Sequence, residues 1–176
     1  MSTPQQPRSD VQPAAPGMSA SGRTPVQIAA LVVGAVFLLV GVLGFIPGVT
    51  THYDQLTFAG HHSEAALLGI FNVSVLHNIV HLLFGIAGIA LARTFNTART
   101  YLIVGGVVYL VLFVYGLLID HDSSMNFVPV NNADNWLHLV LAAGMLALGA
   151  LLGRTRHNAA AAARTQGSSP GSAGIA

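Results

Sequence analysis

Four long apolar runs without charged residues constrain the fold of this chain more than any other feature. They cover residues 26–46, about 75–92, 101–119 and 136–153. Each has the roughly 18–21 residues that an α-helix needs to cross a ~30 Å hydrocarbon layer. Helices of a soluble bundle show a polar face at a period of 3.6 residues, and residues 102–119 show none. The runs therefore predict an all-α membrane fold, a bundle of four transmembrane helices.

Composition agrees with a membrane protein. Only 7% of the 176 residues are charged and 53% are hydrophobic, whereas soluble domains carry roughly a quarter charged residues. The net charge is +1, and the seven cationic residues form no basic stripe of the kind that nucleic acid requires. The chain has no cysteine, which excludes disulfides, thiolate metal sites and a cysteine nucleophile. Histidine or carboxylate would therefore have to hold any metal or haem.

The two ends of the chain differ from its middle. Residues 1–24 are rich in Pro, Ser, Gln and Ala, and residues 157–176 in Ala, Gly and Ser, so both predict disordered cytoplasmic tails. The transmembrane domain is predicted at 25–156. Pro25 suits the first position of its first helix. Asp134 is predicted to be the N-cap of the fourth.

Arginine positions predict the orientation, because cytoplasmic loops retain Lys and Arg. All seven arginines precede the first run, lie between the second and third, or follow the fourth. Five of the six acidic residues fall in the two loops on the opposite side, at about 47–64 and 120–135. Both termini are therefore predicted to be cytoplasmic.

A short pattern recurs in the second and fourth runs. Residues 78–82 and 135–139 share the motif Asn-x-x-His-Leu, and residues 33–36 and 104–107 give a weaker echo in the first and third runs. A duplicated helical hairpin explains both. Because each hairpin starts in the cytoplasm, the two copies would be parallel repeats.

Several strings together carry a family resemblance. They are LHNIVHLLFG at 76–85, YGLLID at 115–120, NFVP at 126–129 and ADNWLH at 133–138. In this combination the chain resembles the actinobacterial membrane family catalogued as domain of unknown function 4383, over about residues 27–153. The resemblance implies four transmembrane helices in a bacterial plasma membrane and no assigned activity.

Histidines and asparagines inside the apolar runs are the candidate site. His77 and His81 are one turn apart on one helix face. His77 and His138 lie at equal separations from Arg93 and Arg154, about 24 Å along the helix. Ionisable side chains inside a membrane usually face the bundle interior. We therefore expect a polar cluster in the outer half of the bundle. It comprises His77, Asn78, His81, Asn135 and His138.

The sequence leaves open which histidine of the second run is the counterpart of His138 in the fourth. Equal depth pairs His77 with His138, whereas the repeated motif pairs His81 with His138. Small-residue stripes follow the histidines at Gly85, Gly88 and Ala92 and again at Ala142, Gly149 and Gly153. These stripes are expected to face each other or a common centre. The loop at 120–135 is expected to be ordered and to cover the histidines.

Three functions suit this cluster. The first is a non-enzymatic structural or partner-binding role in the bilayer, with neutral histidines that hydrogen-bond across helices. The second is a metal- or haem-binding redox protein that uses His77, His81 and His138 as ligands, with Asp120 and Asp134 orienting the rings. The third is a proton or small-solute path, which would require a homo-oligomer. No motif identifies a cofactor, and no nucleophile–base pair indicates an enzyme.

Overall fold

The computed structural model describes residues 22–166, and within this range the chain is mostly helical with four helices. These are α1 (Pro25–Leu43), α2 (Val75–Leu91), α3 (Phe95–Leu118) and α4 (Asn132–Gln166). A small antiparallel sheet lies between α1 and α2, with strands β1 (Thr50–Thr51), β2 (Ala66–Leu67) and β3 (Phe71–Asn72). Of the predicted disordered tails, residues 1–21 and 167–176 lie outside the described range.

The first three helices start at local capping signals. At α1, Gln27 Oε1 accepts a hydrogen bond from the Thr24 amide at 3.0 Å. At α2, Ser74 caps the first turn. The structure differs from the predicted bounds at α3, which starts at Phe95 instead of residue 101. The Thr94 hydroxyl caps this polar first turn by accepting from the Thr97 amide at 3.3 Å.

The start of α4 corrects the predicted role of Asp134. Asn131 Oδ1 accepts from the Asp134 amide, and Asp134 Oδ2 accepts from the Asn131 amide, both at 3.0 Å. This reciprocal arrangement is a capping box with Asn131 as N-cap. At the other end α4 continues to Gln166. Residues 157–166 are therefore helical where the sequence predicts disorder, in keeping with the high helix propensity of their alanines.

The helices pack as two hairpins, α1 with α2 and α3 with α4, which meet each other less extensively. A Cβ on Gly34 would lie 2.9 Å from the Gly85 carbonyl oxygen. One on Gly106 would lie 3.1 Å from the Ala142 carbonyl oxygen. Each small-residue stripe therefore brings together the helices of its own hairpin. Of the two expected arrangements, the one in which the stripes face each other is wrong, whereas Ala92 and Ala142 of the two stripes belong to one buried core cluster.

Matched contacts support the duplicated hairpin. Gln27 on α1 donates from Nε2 to the Ala92 carbonyl at the end of α2, at 3.1 Å. Arg99 on α3 makes the corresponding bond in the second hairpin, from Nε to the Gly149 carbonyl of α4, at 3.2 Å. This correspondence shifts the sequence match of 33–36 with 104–107 by one residue, so that Gly34 is equivalent to Gly106. These bonds lie at the end of the bundle that also holds Arg93 and Arg154, hereafter the arginine end.

The segments 44–74 and 119–131 lie at the opposite end, hereafter the loop end, and are bonded together. Asp134 Oδ2 accepts from the Asn72 amide at 3.0 Å, which ties β3 to the start of α4. The Gly60 amide donates to the Phe127 carbonyl at 2.6 Å and joins the two segments directly. The loop end is thus an ordered layer over the helices.

The surface of the helices is apolar. Helices α1, α3 and α4 up to Arg154 are each long and apolar enough to cross a membrane, whereas α2 is apolar but has 17 residues. Only 28–33% of the residues in the three longer spans are buried, so most of their apolar side chains face outwards. Large exposed side chains include Val32 and Leu39 on α1, Leu83 and Ile86 on α2, Val111 and Leu117 on α3, and Val140 and Leu151 on α4. This surface is consistent with a membrane protein.

Candidate functional site

The first turns of α2 hold two of the predicted histidines. Ser74 Oγ accepts from the His77 amide at 3.1 Å and fixes the start of the helix. One turn later, His81 Nδ1 lies 3.0 Å from the His77 carbonyl oxygen. The two imidazole rings stack with centroids 4.5 Å apart. The side chains therefore form one rigid unit on the face of α2 that looks into the bundle.

Two cavities at the loop end share the three predicted histidines. One of about 260 Å³ lies between α2, α3 and α4, with walls that include Tyr109, Leu112, Phe127, Val128 and Val130. The other, of about 130 Å³, lies against the sheet, with walls that include Val40, Leu67, Phe71, Asn78 and Asp134. His77, His81 and His138 line both. The structure thus brings four members of the predicted cluster to one place.

Asn135, the fifth member of the predicted cluster, is not among the residues that line the two cavities. Its side-chain amide packs against Gly116 near the end of α3, where a Cβ would overlap the amide oxygen. Asn78 packs in the same way against Gly44 beyond the end of α1. The two asparagines are therefore equivalent in the two hairpins. Each occupies space that only a glycine leaves open.

Aromatic contacts settle which histidine is the counterpart of His138. The Phe37 ring lies 5.5 Å from His81, and the Tyr109 ring lies 5.4 Å from His138. Phe37 and Tyr109 stack on each other between the hairpins, with centroids 5.4 Å apart and planes inclined by 20°. His81 and His138 are thus equivalent. His77 corresponds to Asp134, the residue that precedes the asparagine in the second copy.

Several buried polar atoms of this region have no hydrogen-bond partner within the described part of the chain. They are His77 Nδ1, Asn78 Nδ2, Asn135 Oδ1 and His138 Nδ1. The residues are at least nine-tenths buried, with His77 7% and His138 6% exposed. The hydrogen bonds expected to hold the histidines across helices are therefore not made through these atoms. An unsatisfied buried polar group costs about 1–3 kcal/mol.

The two predicted carboxylates do not orient the histidine rings. Asp134 lines the smaller cavity, but its Oδ2 accepts the amides of Asn72 and Asn131. Asp120 is exposed, and its Oδ1 accepts from the Asp122 amide at 3.0 Å within a turn. Across the residues that the structure describes, no three His, Asp or Glu side chains are grouped so as to hold a metal ion.

Asn126 is a site residue that the sequence reasoning missed. It is buried, and its Nδ2 donates to the carbonyls of His121 at 3.0 Å and Val130 at 3.2 Å. Its Oδ1 accepts from the Val130 amide at 3.0 Å. These bonds close the segment 126–130 over the larger cavity. The loop at 120–135 covers the histidines, as the sequence predicted. Asn126 is the residue in this loop that could have indicated how the loop closes, because asparagine side chains often bond to the backbone of a turn.

Fold and site together define the class of this protein. Its described residues form four helices of membrane type, with a histidine-lined cavity system at one end of the bundle. The chain belongs to the family described as domain of unknown function (DUF4383), whose model matches residues 27–151. The resemblance carried by the sequence strings is thereby confirmed. No curated protein and no solved structure matches the chain.

Proposed function

We propose that this chain is a four-pass protein of the bacterial plasma membrane that binds a small, largely apolar molecule in its histidine-lined cavities. Both termini are cytoplasmic in this proposal, so the loop end lies on the outer side. The role is one of binding, without a catalytic step. The observation that carries it is that three histidine rings line a common cavity with apolar walls, and two of them lack a partner for Nδ1.

The length of α2 is compatible with a fourth crossing. Its 17 residues rise about 26 Å, which is at the short end of membrane-spanning helices. Its exposed side chains Leu83, Ile86 and Ile89 are as apolar as those of the three longer helices. Arginines at one end of the bundle and acidic loops at the other favour cytoplasmic termini.

The cavity walls favour a small-molecule ligand. Pockets for small molecules are mostly apolar and carry a few polar groups that fix the orientation of the ligand. Here leucine, valine and aromatic side chains surround three imidazoles and the Asn78 amide. A purely structural cluster would be expected to satisfy its own polar atoms, because each unpaired one is costly in an apolar interior.

Fewer observations support the other two candidate functions, a metal or haem centre and a path for protons or small solutes. For a metal centre at His77, His81 and His138, the described residues contain no group of three His, Asp or Glu side chains placed to hold an ion. A solute path would have to pass from the cavities to the arginine end. Leu102 and Met145 fill that part of the bundle and are at most 2% exposed. A path through a single copy is therefore blocked.

Naphthalene serves as a probe of the proposed function. Full-length chain with ¹⁵N-labelled histidine in detergent micelles is titrated with naphthalene, and side-chain nitrogen resonances are followed. We expect saturable shifts for His77, His81 and His138. The exposed His52 and His62 are internal controls, and their shifts should stay small and linear.

Two variants localise the binding of naphthalene. Val130→Phe places a larger side chain in the wall of the larger cavity and should weaken binding. Val104→Phe makes the same change at an outward-facing position of α3 and should leave binding unchanged. Shifts that do not saturate, or that are equal for all histidines, would contradict a binding cavity.

A further inference from the structure

We infer that the larger cavity takes a one- or two-ring aromatic molecule with a phenolic hydroxyl, which donates a hydrogen bond to Nε2 of His81. The inference rests on the proposed binding function and adds the chemical class of the ligand. It follows from the hydrogen bond that His81 makes, from the size of the cavity and from the position of its opening.

The hydrogen bond of His81 defines which ring nitrogen is free. Its Nδ1 lies 3.0 Å from the His77 carbonyl oxygen. A carbonyl oxygen can only accept, so Nδ1 must carry the proton. In the neutral imidazole the other nitrogen, Nε2, then has an unprotonated lone pair. His81 therefore offers an acceptor, and the group that complements an acceptor is a donor such as a hydroxyl.

The His81 ring is held in place to present this acceptor. It stacks on His77 and contacts Phe37, with ring centroids 4.5 Å and 5.5 Å away. Because Nδ1 faces the backbone of α2, Nε2 lies on the edge of the ring directed away from that backbone. The ring lines both cavities. A bound hydroxyl would thus meet a fixed acceptor, which reduces the entropy lost on binding.

The neighbouring His138 can turn to meet the oxygen of the same hydroxyl. No hydrogen bond within the described part of the protein fixes its Nδ1, whereas the His77 ring interacts with the backbone of Asn72 and Pro129. A half-turn of the His138 ring about its Cβ–Cγ bond therefore breaks no hydrogen bond at Nδ1 and can direct an N–H at the cavity. A hydroxyl both donates and accepts, so it can satisfy His81 and His138 together.

Cavity size and opening indicate an aromatic molecule from the bilayer. A cavity of about 150 Å³ with apolar walls is large enough for benzene, so a volume of about 260 Å³ suits one or two fused rings. Tyr109 and Phe127 supply aromatic walls. Val80, Val111 and Phe127 line the cavity and are 47%, 61% and 57% exposed on the apolar surface. A membrane-dissolved phenol can enter between them.

The test compares 2-naphthol with naphthalene on the full-length chain in micelles. The two probes share the same ring system and differ by the hydroxyl. We expect 2-naphthol to bind roughly tenfold more tightly, the difference that one hydrogen bond in an apolar site contributes. His81→Phe should abolish the difference, because phenylalanine keeps the ring and lacks the acceptor. His62→Phe, the same change at an exposed loop histidine, should preserve it.

A spectroscopic measurement on the unchanged chain keeps the inference testable if His81→Phe does not fold. The ¹⁵N resonance of His81 Nε2 should be of the unprotonated type, and 2-naphthol should shift it towards the hydrogen-bonded range. A protonated Nε2, or no shift on saturation with 2-naphthol, would overturn the inference. So would a preference for 2-naphthol that survives in His81→Phe. Equal saturable binding of both probes would overturn it and leave the proposed function intact, whereas no binding of either would overturn both.

Discussion

Two glycine–asparagine pairs fix how closely the helices of each hairpin approach at the loop end. The Asn78 amide fills the space beside Gly44, and the Asn135 amide fills the space beside Gly116. Both asparagines are buried and each keeps one amide atom without a partner among the described residues. Because the pairs occupy equivalent positions, the same glycine–asparagine contact packs the two helices of each hairpin. Gly44 could be predicted from the sequence as a packing contact, whereas Gly116 did not stand out, since its partner Asn135 lies on another helix.

Alanine at either glycine should therefore destabilise the protein. In Gly44→Ala or Gly116→Ala the new methyl group overlaps the amide of the partner asparagine, and overpacking of this kind costs about 1–3 kcal/mol. Thermal melting in detergent should show a lower midpoint for both variants.

Gly144→Ala is the matched control for these two substitutions. Gly144 lies inside α4, and no neighbouring group lies within 4 Å of the position that a Cβ would take there. Alanine should leave the midpoint unchanged or raise it, because alanine favours the helix. Melting of Gly44→Ala and Gly116→Ala at or above the midpoint of the unchanged chain would contradict the packing role.

At the scale of elements, hydropathy predicted the apolar centres of the helices and missed their polar starts. The first turns of α3 and α4 contain Asn96, Arg99 and Asp134, which hydropathy alone assigns to loops. Their caps, Thr94 and Asn131, determine where the helices begin. The sheet was not predicted, because strands of two residues carry too little alternation. Its strands pair with one another within residues 50–72, and β3 is also bonded to the start of α4, which lies far away in sequence.

We predict that the carboxylate of Asp134 stabilises the attachment of the sheet to the start of α4, because it accepts hydrogen bonds from the Asn72 and Asn131 amides. Asp134→Ala leaves the half-buried Asn72 and Asn131 amides without their acceptor, at a cost of about 1 kcal/mol for each donor. Hydrogen exchange at both amides should accelerate in this variant. Asp120→Ala removes the acceptor of one exposed turn and should change stability by no more than ~0.5 kcal/mol. Unchanged protection of the Asn72 amide from hydrogen exchange in Asp134→Ala would contradict the predicted role of the Asp134 carboxylate.

At the scale of the whole molecule, the predictable part of the site was its histidines. An ionisable residue inside an apolar run is rare enough to mark a site, and His77, His81 and His138 do meet at shared cavities. The sequence located the covering loop at 120–135, but the hydrogen bonds of Asn126 that close it and the aromatic pair between the hairpins depend on three-dimensional contacts. The duplicated hairpin explains why these contacts occur twice, because equivalent residues make equivalent contacts in its two copies.

The crossing of α2 is the most direct test of the account, because it decides between three and four passes and so the side on which the histidine cavities lie. The chain has no cysteine, so single cysteines can be placed at the exposed positions Glu64 and Asn96, before and after α2. The measurement is labelling of intact cells with a membrane-impermeant maleimide, followed by labelling after lysis. The account predicts that Glu64→Cys reacts in intact cells and that Asn96→Cys reacts only after lysis. Reaction of Asn96→Cys in intact cells, or protection of Glu64→Cys until lysis, would contradict it.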